Sequence, residues 1–273
     1  MDAAKITRRS QSNLALAFVS LGRERRRAIT VFYAFCRLID DIVDEPGAPA
    51  DEKRRHLSQW RTWVRGPTPN EPDLAAELRR VMQKYAVAPP MLEEIIAGVE
   101  MDLSVSRYDT WEELRVYCYR VASAVGLVSI EIFGYRNEQC RAYAVELGLG
   151  LQVTNIIRDV AKDLTNGRIY LPREDLDTFG YTEADLQRRV NGERFLHLMS
   201  FEAARAWRFF DRAAELLPRE DRRSMVAAEI MRSVYSALLR RMEADRFRVF
   251  QKDYKLTKLE KIRRVTAELL KFK

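Results

Sequence analysis

QVTNIIRDVAKD, residues 152–163, governs how the remainder of the chain is read. Gln152, Asn155, Asp159 and Asp163 recur at steps of three, four and four, so a helix places them in one polar stripe. Val153, Ile156, Ile157 and Val160 flank that stripe and point to a core. A solvated helix face is the alternative, but such a face normally carries long Lys and Glu side chains. Short amides and aspartates suit ligation of metal and phosphate. The stretch FYAFCRLIDDIVDE, residues 32–45, repeats the theme, with Asp40 and Asp44 again four apart behind an apolar run of helical period through Ile29, Phe32, Tyr33 and Cys36. At that spacing two carboxylates stand about 5–6 Å apart at Cβ and repel each other. Near a helix C-terminus they also oppose the macrodipole. A divalent cation removes both costs. Magnesium is the candidate, since it takes hard oxygens, typically one or two carboxylates plus phosphate oxygens. Two facing pairs would then hold a diphosphate through bridging metals. Arg37, one turn before Asp40, and Arg158, beside Asp159, are diphosphate ligands on this reading and structural ion pairs on the other.

Nearly everything around these stretches reads as helix. Glycine is scarce, at 11 of 273 residues, and no run alternates with period two. The expected helices are 23–45, about 50–65, 72–86, 90–104, 110–135, 137–164, 182–190, 193–217, 219–250 and 256–271, with a loop at 165–175 marked by Asn-Gly and Leu-Pro. The Pro-rich joints near 46–49 and 67–72 are too short to be domain linkers. The expected fold is all-α, a single domain over 1–273 forming a multi-helix bundle with a central apolar cavity.

The net charge of +7 favours an anionic partner: phosphate, nucleic acid or an acidic lipid surface. A nucleic-acid binder would leave the paired aspartates electrostatically adverse, and no helix-turn-helix is apparent, so nucleic acid is set aside. With only His56 and His197, neither in a constellation, a Ser-His-Asp hydrolase, a His-ligated zinc site and a haem site lack support. No P-loop is present, and Gly148-Leu-Gly150 lacks the strand and third glycine of a dinucleotide turn. Cys36, Cys118 and Cys140 lie in apolar helical stretches and read as buried, reduced thiols of a cytosolic protein. The basic, apolar N-terminus lacks the small residues of an export cleavage site, and no stretch approaches about 18 uninterrupted apolar residues, so the expectation is a cytoplasmic protein, soluble or peripheral to the inner face of the membrane. Segment 255–273 joins Lys255, Lys258, Lys261, Arg263, Arg264 and Lys271 to Leu259, Ile262 and Leu269. It reads either as the solvated face of a last packing helix or as a helix lying on an anionic membrane.

Residues 32–45, YCYRVASAVG at 117–126 and QVTNIIRDVAKDLTNGRIYLP at 152–172 together resemble the squalene and phytoene synthase family, the head-to-head prenyltransferases. The match is in order and spans nearly the whole chain. An Asp-Asp-x-x-Asp run alone is shared with elongating prenyltransferases and terpene cyclases; Asn155 to Asp163 followed by Gly167-Arg-Ile-Tyr-Leu-Pro172 distinguishes this family. GVEMDL at 98–103, residues 121–135 and FRVF at 247–250 resemble bacterial enzymes making presqualene diphosphate or squalene for hopanoid pathways. Ser123 stands where phytoene synthases more often have glycine. The resemblance implies an isoprenoid-synthase-type bundle and a transferase that condenses two farnesyl diphosphates to presqualene diphosphate, with complete squalene synthesis, geranylgeranyl diphosphate as substrate for phytoene, or an inactive scaffold as alternatives. It implies magnesium, or manganese in its place, on Asp40, Asp44, Asn155, Asp159 and Asp163, and NADPH only if the second half-reaction occurs. It makes Ser12, Arg37, Gln152, Arg158 and Tyr170 substrate-contacting, puts Tyr117 near the reacting carbons, and sets Lys252 where relatives place a phosphate-binding arginine. Neighbours in a hopanoid, sterol or carotenoid pathway are the implied partners.

Overall fold

Residues 17–271, the part that the computed structural model describes, are helical almost throughout, and no strand occurs among them. Helix α1 is Arg23–Asp44, α2 Ala50–Arg65, α3 Asp73–Lys84 and α4 Pro89–Met101. Prolines set three of these starts: Pro49 and Pro72 occupy the N-cap positions of α2 and α3, and Pro89 opens α4. A missing N–H is harmless there, because the first turn has no partner for it. Helix α1 buries Ile29, Phe32, Phe35, Ile39 and Val43, and Phe35 meets Trp60 of α2 edge-on at 5.4 Å between ring centres.

Residues 110–135 form three joined pieces rather than one regular helix: α5 at Trp111–Cys118, a π-helical segment at Tyr119–Ser123, and α6 at Ala124–Phe133. The π segment is clamped from two sides by glycine. A Cβ on Gly98 of α4 would lie 2.7 Å from the Arg120 Cβ, and one on Gly148 would lie 2.6 Å from the Ser123 Cα. The Ser123 hydroxyl also donates to the Val145 carbonyl at 2.8 Å. The run Trp111–Phe133 has the length and mean hydropathy, 1.4, of a membrane span. It is nevertheless a core element, pressed between α4 and the long helix α7, Gln139–Thr165.

Helices α8 at Arg173–Thr178, α9 at Glu183–Gln187, α10 at Glu193–Leu216, α11 at Val226–Ala244 and α12 at Lys258–Leu270 complete the bundle, with α10 lying along α7. Three sequence expectations need correction here. The loop expected over 165–175 ends earlier, because Pro172 starts α8. The helix expected over 182–190 stops at Gln187, and Arg189 takes φ +55. The helix expected over 219–250 is shorter at both ends. Buried Asp221 ends a 3-10 turn and accepts the backbone N–H groups of Arg136 and Asn137, each at 2.9 Å, so it serves the loop before α7. Beyond Ala244, Arg246 and Phe247 adopt φ +54 and +51, which breaks the helix and buries Phe247. All three cysteines are free; Cys118 and Cys140 are buried, whereas Cys36 is only half-buried.

The clamp on the π segment has a measurable consequence. Gly148→Ala is expected to lose about 1–3 kcal/mol of stability through overpacking. Gly66→Ala, where a Cβ meets nothing within 4 Å, is expected to stay within about 0.5 kcal/mol. Urea denaturation of the two variants compares them directly.

Candidate active site

Three helices finish on the same side of the bundle, and each brings aspartate. Helix α1 ends at Asp44 with Asp40 one turn earlier, Asp102 caps α4, and α7 ends two residues past Asp163, with Asp159 one turn before that. Their charges act on one another across the gap: Asp102 is felt by Asp40 and by Asp163, and Asp44 is felt by Asp102. The negative ends of three macrodipoles add to the same field. Burial, reinforced by Asp44, Asp41 and Asp102 and partly offset by Arg37, pushes the Asp40 carboxyl up to about 7. Burial together with Asp159 pushes Asp163 up to about 7, against Lys162 and Arg168. Asp40 and Asp163 are half-buried.

Asp102 links the two acidic pairs, and sequence reasoning assigned it no role. Tyr170 donates to its Oδ1 at 2.7 Å and Tyr117 to its Oδ2 at 3.1 Å, while the two hydroxyls lie 3.2 Å apart. The rings of Tyr117 and Tyr170 stack at 5.1 Å between centres, and Tyr108 packs beside both. Burial raises the Asp102 carboxyl, while Arg168 and the two phenols pull it back. The Tyr108 hydroxyl is buried without a partner.

Arg168 was likewise passed over, although a local device fixes its place. Helix α7 closes in a Schellman turn: Gly167 takes φ +76, its N–H donates to the Leu164 carbonyl at 3.0 Å, and the Arg168 N–H donates to the Asp163 carbonyl at 2.9 Å. The turn sends the Arg168 guanidinium back to the acids, 3.6 Å from Asp44 Oδ1 and 3.4 Å from the Asp102 carbonyl. Arg168 beside Asp44 and Asp102, with Arg158 on Asp159, still leaves the aspartates Asp40, Asp44, Asp102, Asp159 and Asp163 in the majority.

The expected basic ligands are otherwise engaged. Arg158 forks onto Asp159, Nε to Oδ1 at 2.8 Å and Nη2 to Oδ2 at 2.5 Å. Arg37 donates to Asp41 rather than Asp40. Lys252 pairs with Asp245 and lies over the Tyr254 ring, so the structure does not bring it to the acids. Ser12 lies outside the described residues.

The acids stand as pairs on separate helices, and among the described residues no three of them already converge into a cage. Magnesium does not need one, since it keeps waters and takes one or two carboxylates with phosphate oxygens. The donor set fits it. The Asp40 and Asp163 carboxylates receive no hydrogen bond from the described residues. The Asn155 Oδ1 is buried and unpartnered, its Nδ2 donating to Gln152 Oε1 at 3.4 Å. Asp40, Asp44, Asp159, Asp163 and Asn155 are the residues that would hold the ions.

An apolar cavity of about 190 Å³ lies between α6, α7 and α11. Val125, Ile130, Leu147, Leu151 and Met231 form its walls, Gln152, Asn155 and Tyr235 add polar groups, and Phe18, Phe133 and Tyr143 are among its bulkier lining residues. Tyr117 is not in this lining; its phenol faces Asp102 instead. Gln152 and Asn155 share the α7 stripe with Asp159 and Asp163, so one helix face runs from the cavity to the acids. Such an arrangement suits a molecule with an anionic head and an apolar tail, part of which the cavity shields from water.

A helical bundle with acid-bearing helix ends beside an apolar cavity defines the isoprenoid-synthase class. The chain belongs to the squalene/phytoene synthase family, whose model matches residues 7–260. It is 37% identical over 245 residues to the 15-cis-phytoene synthase of a Synechocystis species, covering 84% of this chain and 72% of that one. It is 32% identical to the phytoene synthase of Mycobacterium tuberculosis, covering 97% and 88%. Among solved structures, a dehydrosqualene synthase superposes with a TM-score of 0.86 at 24% identity, covering 99% and 95%. Squalene synthase HpnC from Alicyclobacillus acidocaldarius superposes with 0.77 at 26%, covering 90% and 93%. Members of the family are prenyltransferases.

The raised carboxyls give a test that needs no turnover. A carboxyl whose folded pKa lies above its unfolded value of 3.8 favours folding when protonated, and that contribution is lost as pH rises through about 7. In EDTA the Tm is expected to fall between pH 5.5 and pH 8, and magnesium at pH 8 to restore it. Asp40→Asn/Asp163→Asn is expected to flatten the fall and abolish the magnesium response. Scanning calorimetry across that pH range is the measurement.

Proposed function

We propose that the protein joins two identical allylic prenyl diphosphates head to head. The observation that carries this reading is the convergence of two i, i+4 aspartate pairs on Asp102, beside an apolar cavity. Magnesium, when bound, supplies the positive charge that lets a diphosphate leave. Asp40, Asp44, Asp159, Asp163 and Asn155 hold that charge in place, and Arg168 adds a fixed cation beside Asp44 and Asp102. The C1–O bond of one substrate breaks, its electron pair departing with diphosphate and leaving an allylic cation. The 2,3-double bond of the second substrate attacks that cation, and loss of a proton closes a cyclopropane that keeps the second diphosphate. The apolar walls keep water from the cation, which would otherwise be captured as an alcohol. Each 1.36 kcal/mol by which the site favours the separated charges is worth about tenfold in rate.

For chain length, relatives named phytoene synthases at 37% and 32% identity support two C20 geranylgeranyl diphosphates. That reading needs no reductant. Two C15 farnesyl diphosphates, giving presqualene diphosphate, are the second reading. Ser123 favours it, standing where phytoene synthases more often have glycine and bonded to Val145 at the clamp beside the cavity, as does the likeness to squalene synthase HpnC at 26% identity. NADPH enters only if presqualene diphosphate is reduced onward to squalene.

Purified protein given each diphosphate with magnesium, with and without NADPH, separates the readings by extraction and mass analysis. A C40 product from the C20 substrate, either the cyclopropyl diphosphate or the hydrocarbon left when that diphosphate and a further proton depart, with poor use of the C15 substrate, is expected; dominant C30 products would establish the second reading, and no condensation with either would refute both. Asp40→Asn and Asp159→Asn are each expected to lower kcat by about 10²–10³ with unchanged far-ultraviolet circular dichroism.

A further inference from the structure

Seven large apolar side chains are substantially exposed among the described residues, and four of them, Leu259 at 77%, Ile262 at 54%, Leu269 at 39% and Leu270 at 59%, belong to α12. Val19, Val116 and Val190 are scattered singly, which is ordinary for a protein surface. At about 100° per residue the four α12 side chains fall within an arc of about 100°, a stripe along the helix. This helix is firmly built. Thr257 and Glu260 form a capping box at its start, Val265 and Glu268 are buried, and Arg264 donates to the Ser233 carbonyl of α11 at 3.2 Å. The stripe is thus a separate face, left over after α12 has packed on α11.

Charge decides what covers that face. Lys258 borders the stripe on one edge and Arg263 on the other, both exposed and without an ion pair among the described residues; Lys261 lies on the Lys258 side. The two glutamates of the helix are consumed internally, Glu260 by Arg241 and Glu268 by Lys271. A second copy seated stripe to stripe would bring these cations together. Four side chains are also far fewer than the roughly 20–30 residues per partner of a stable interface. Apolar residues between unpaired cations match a lipid surface with anionic headgroups, where the leucines enter the acyl boundary and the cations stay at headgroup level. We propose that α12 is an interfacial helix that seats the protein on an anionic bilayer. The inference stands on this surface alone and does not depend on substrate chain length. Helix α11, on which α12 packs, also lines the cavity through Ala227, Ala228, Met231 and Tyr235, so docking would hold the cavity one helix away from the lipid.

Co-sedimentation of the full chain with vesicles of equimolar phosphatidylglycerol and phosphatidylcholine, beside pure phosphatidylcholine vesicles, tests this. Partition onto the anionic vesicles is expected to be stronger by about tenfold or more and to weaken in 0.5 M salt. Leu259→Ser/Ile262→Ser and Lys258→Glu/Arg263→Glu are each expected to remove most of that binding. Their thermal midpoints should stay at the parent value, because the replaced side chains are exposed. Absent or charge-independent binding, or undiminished binding by the Leu259→Ser/Ile262→Ser variant, would overturn the proposal. So would a dimer in sedimentation velocity that this variant converts to monomer, since it would assign the stripe to a second copy.

Discussion

Mutual repulsion among carboxylates held at three helix ends is the constraint around which this structure is organised. Asp40, Asp44, Asp102, Asp159 and Asp163 would separate if the helices were free to splay. They stay together because α1, α4 and α7 are fixed elsewhere by burial and close backbone contact. Gly98 and Gly148 let α4 and α7 press on the π segment from opposite sides, and Phe32, Phe35 and Ile39 lock α1 into the core directly beneath its aspartates. Cohesion in the apolar bundle thus sustains an electrostatic arrangement that is unfavourable locally. That is the usual relation between a functional site and its scaffold.

The protein meets part of this repulsion with its own groups and leaves the remainder for a ligand. Arg168 touches Asp44 and the end of α4, Arg158 forks onto Asp159, and two phenols donate to Asp102. Among the described residues Asp40 and Asp163 receive no such hydrogen bond, and they are the two carboxyls pushed up to about 7. The carboxyls left without such a bond are therefore the first acid of one pair and the last acid of the other. A diphosphate carried by divalent ions, as proposed above, would engage both sides, whereas a single lysine or arginine would satisfy only one.

Sequence periodicity revealed what repeats along one helix and missed what assembles across several. The Asp40/Asp44 and Asp159/Asp163 pairs were legible because i, i+4 spacing places both members on one face whatever the fold. The Asn155 stripe was legible for the same reason. Asp102 was not, since its partners Tyr117 and Tyr170 lie 15 and 68 residues away. Arg168 had a local signal, Asn-Gly after an apolar helix, but that turn shows only that the chain reverses, not what the next side chain reaches. The π segment left no mark in the hydrophobic pattern, because one extra residue in a turn barely shifts a short run. Lys252 was placed by likeness of position along the chain, and the backbone reversal at Arg246 and Phe247 carries it to Asp245 instead.

The position of Asp102 also ties the aromatic side of the site to its acidic side. Tyr117 and Tyr170 both stay protonated, because burial, Asp102 and each other's proximity raise the first, and burial and Asp102 raise the second. Both therefore remain donors to the carboxylate. Asp102 itself is raised by burial and by Asp44, so the hydrogen bonds it accepts strengthen as it ionises. A cation on either aspartate pair favours the ionised form of every carboxyl nearby. Charge at the acidic pairs and the grip of Asp102 on the stacked tyrosines are thus coupled through a single side chain, so a cation bound at either pair would hold the two rings more firmly.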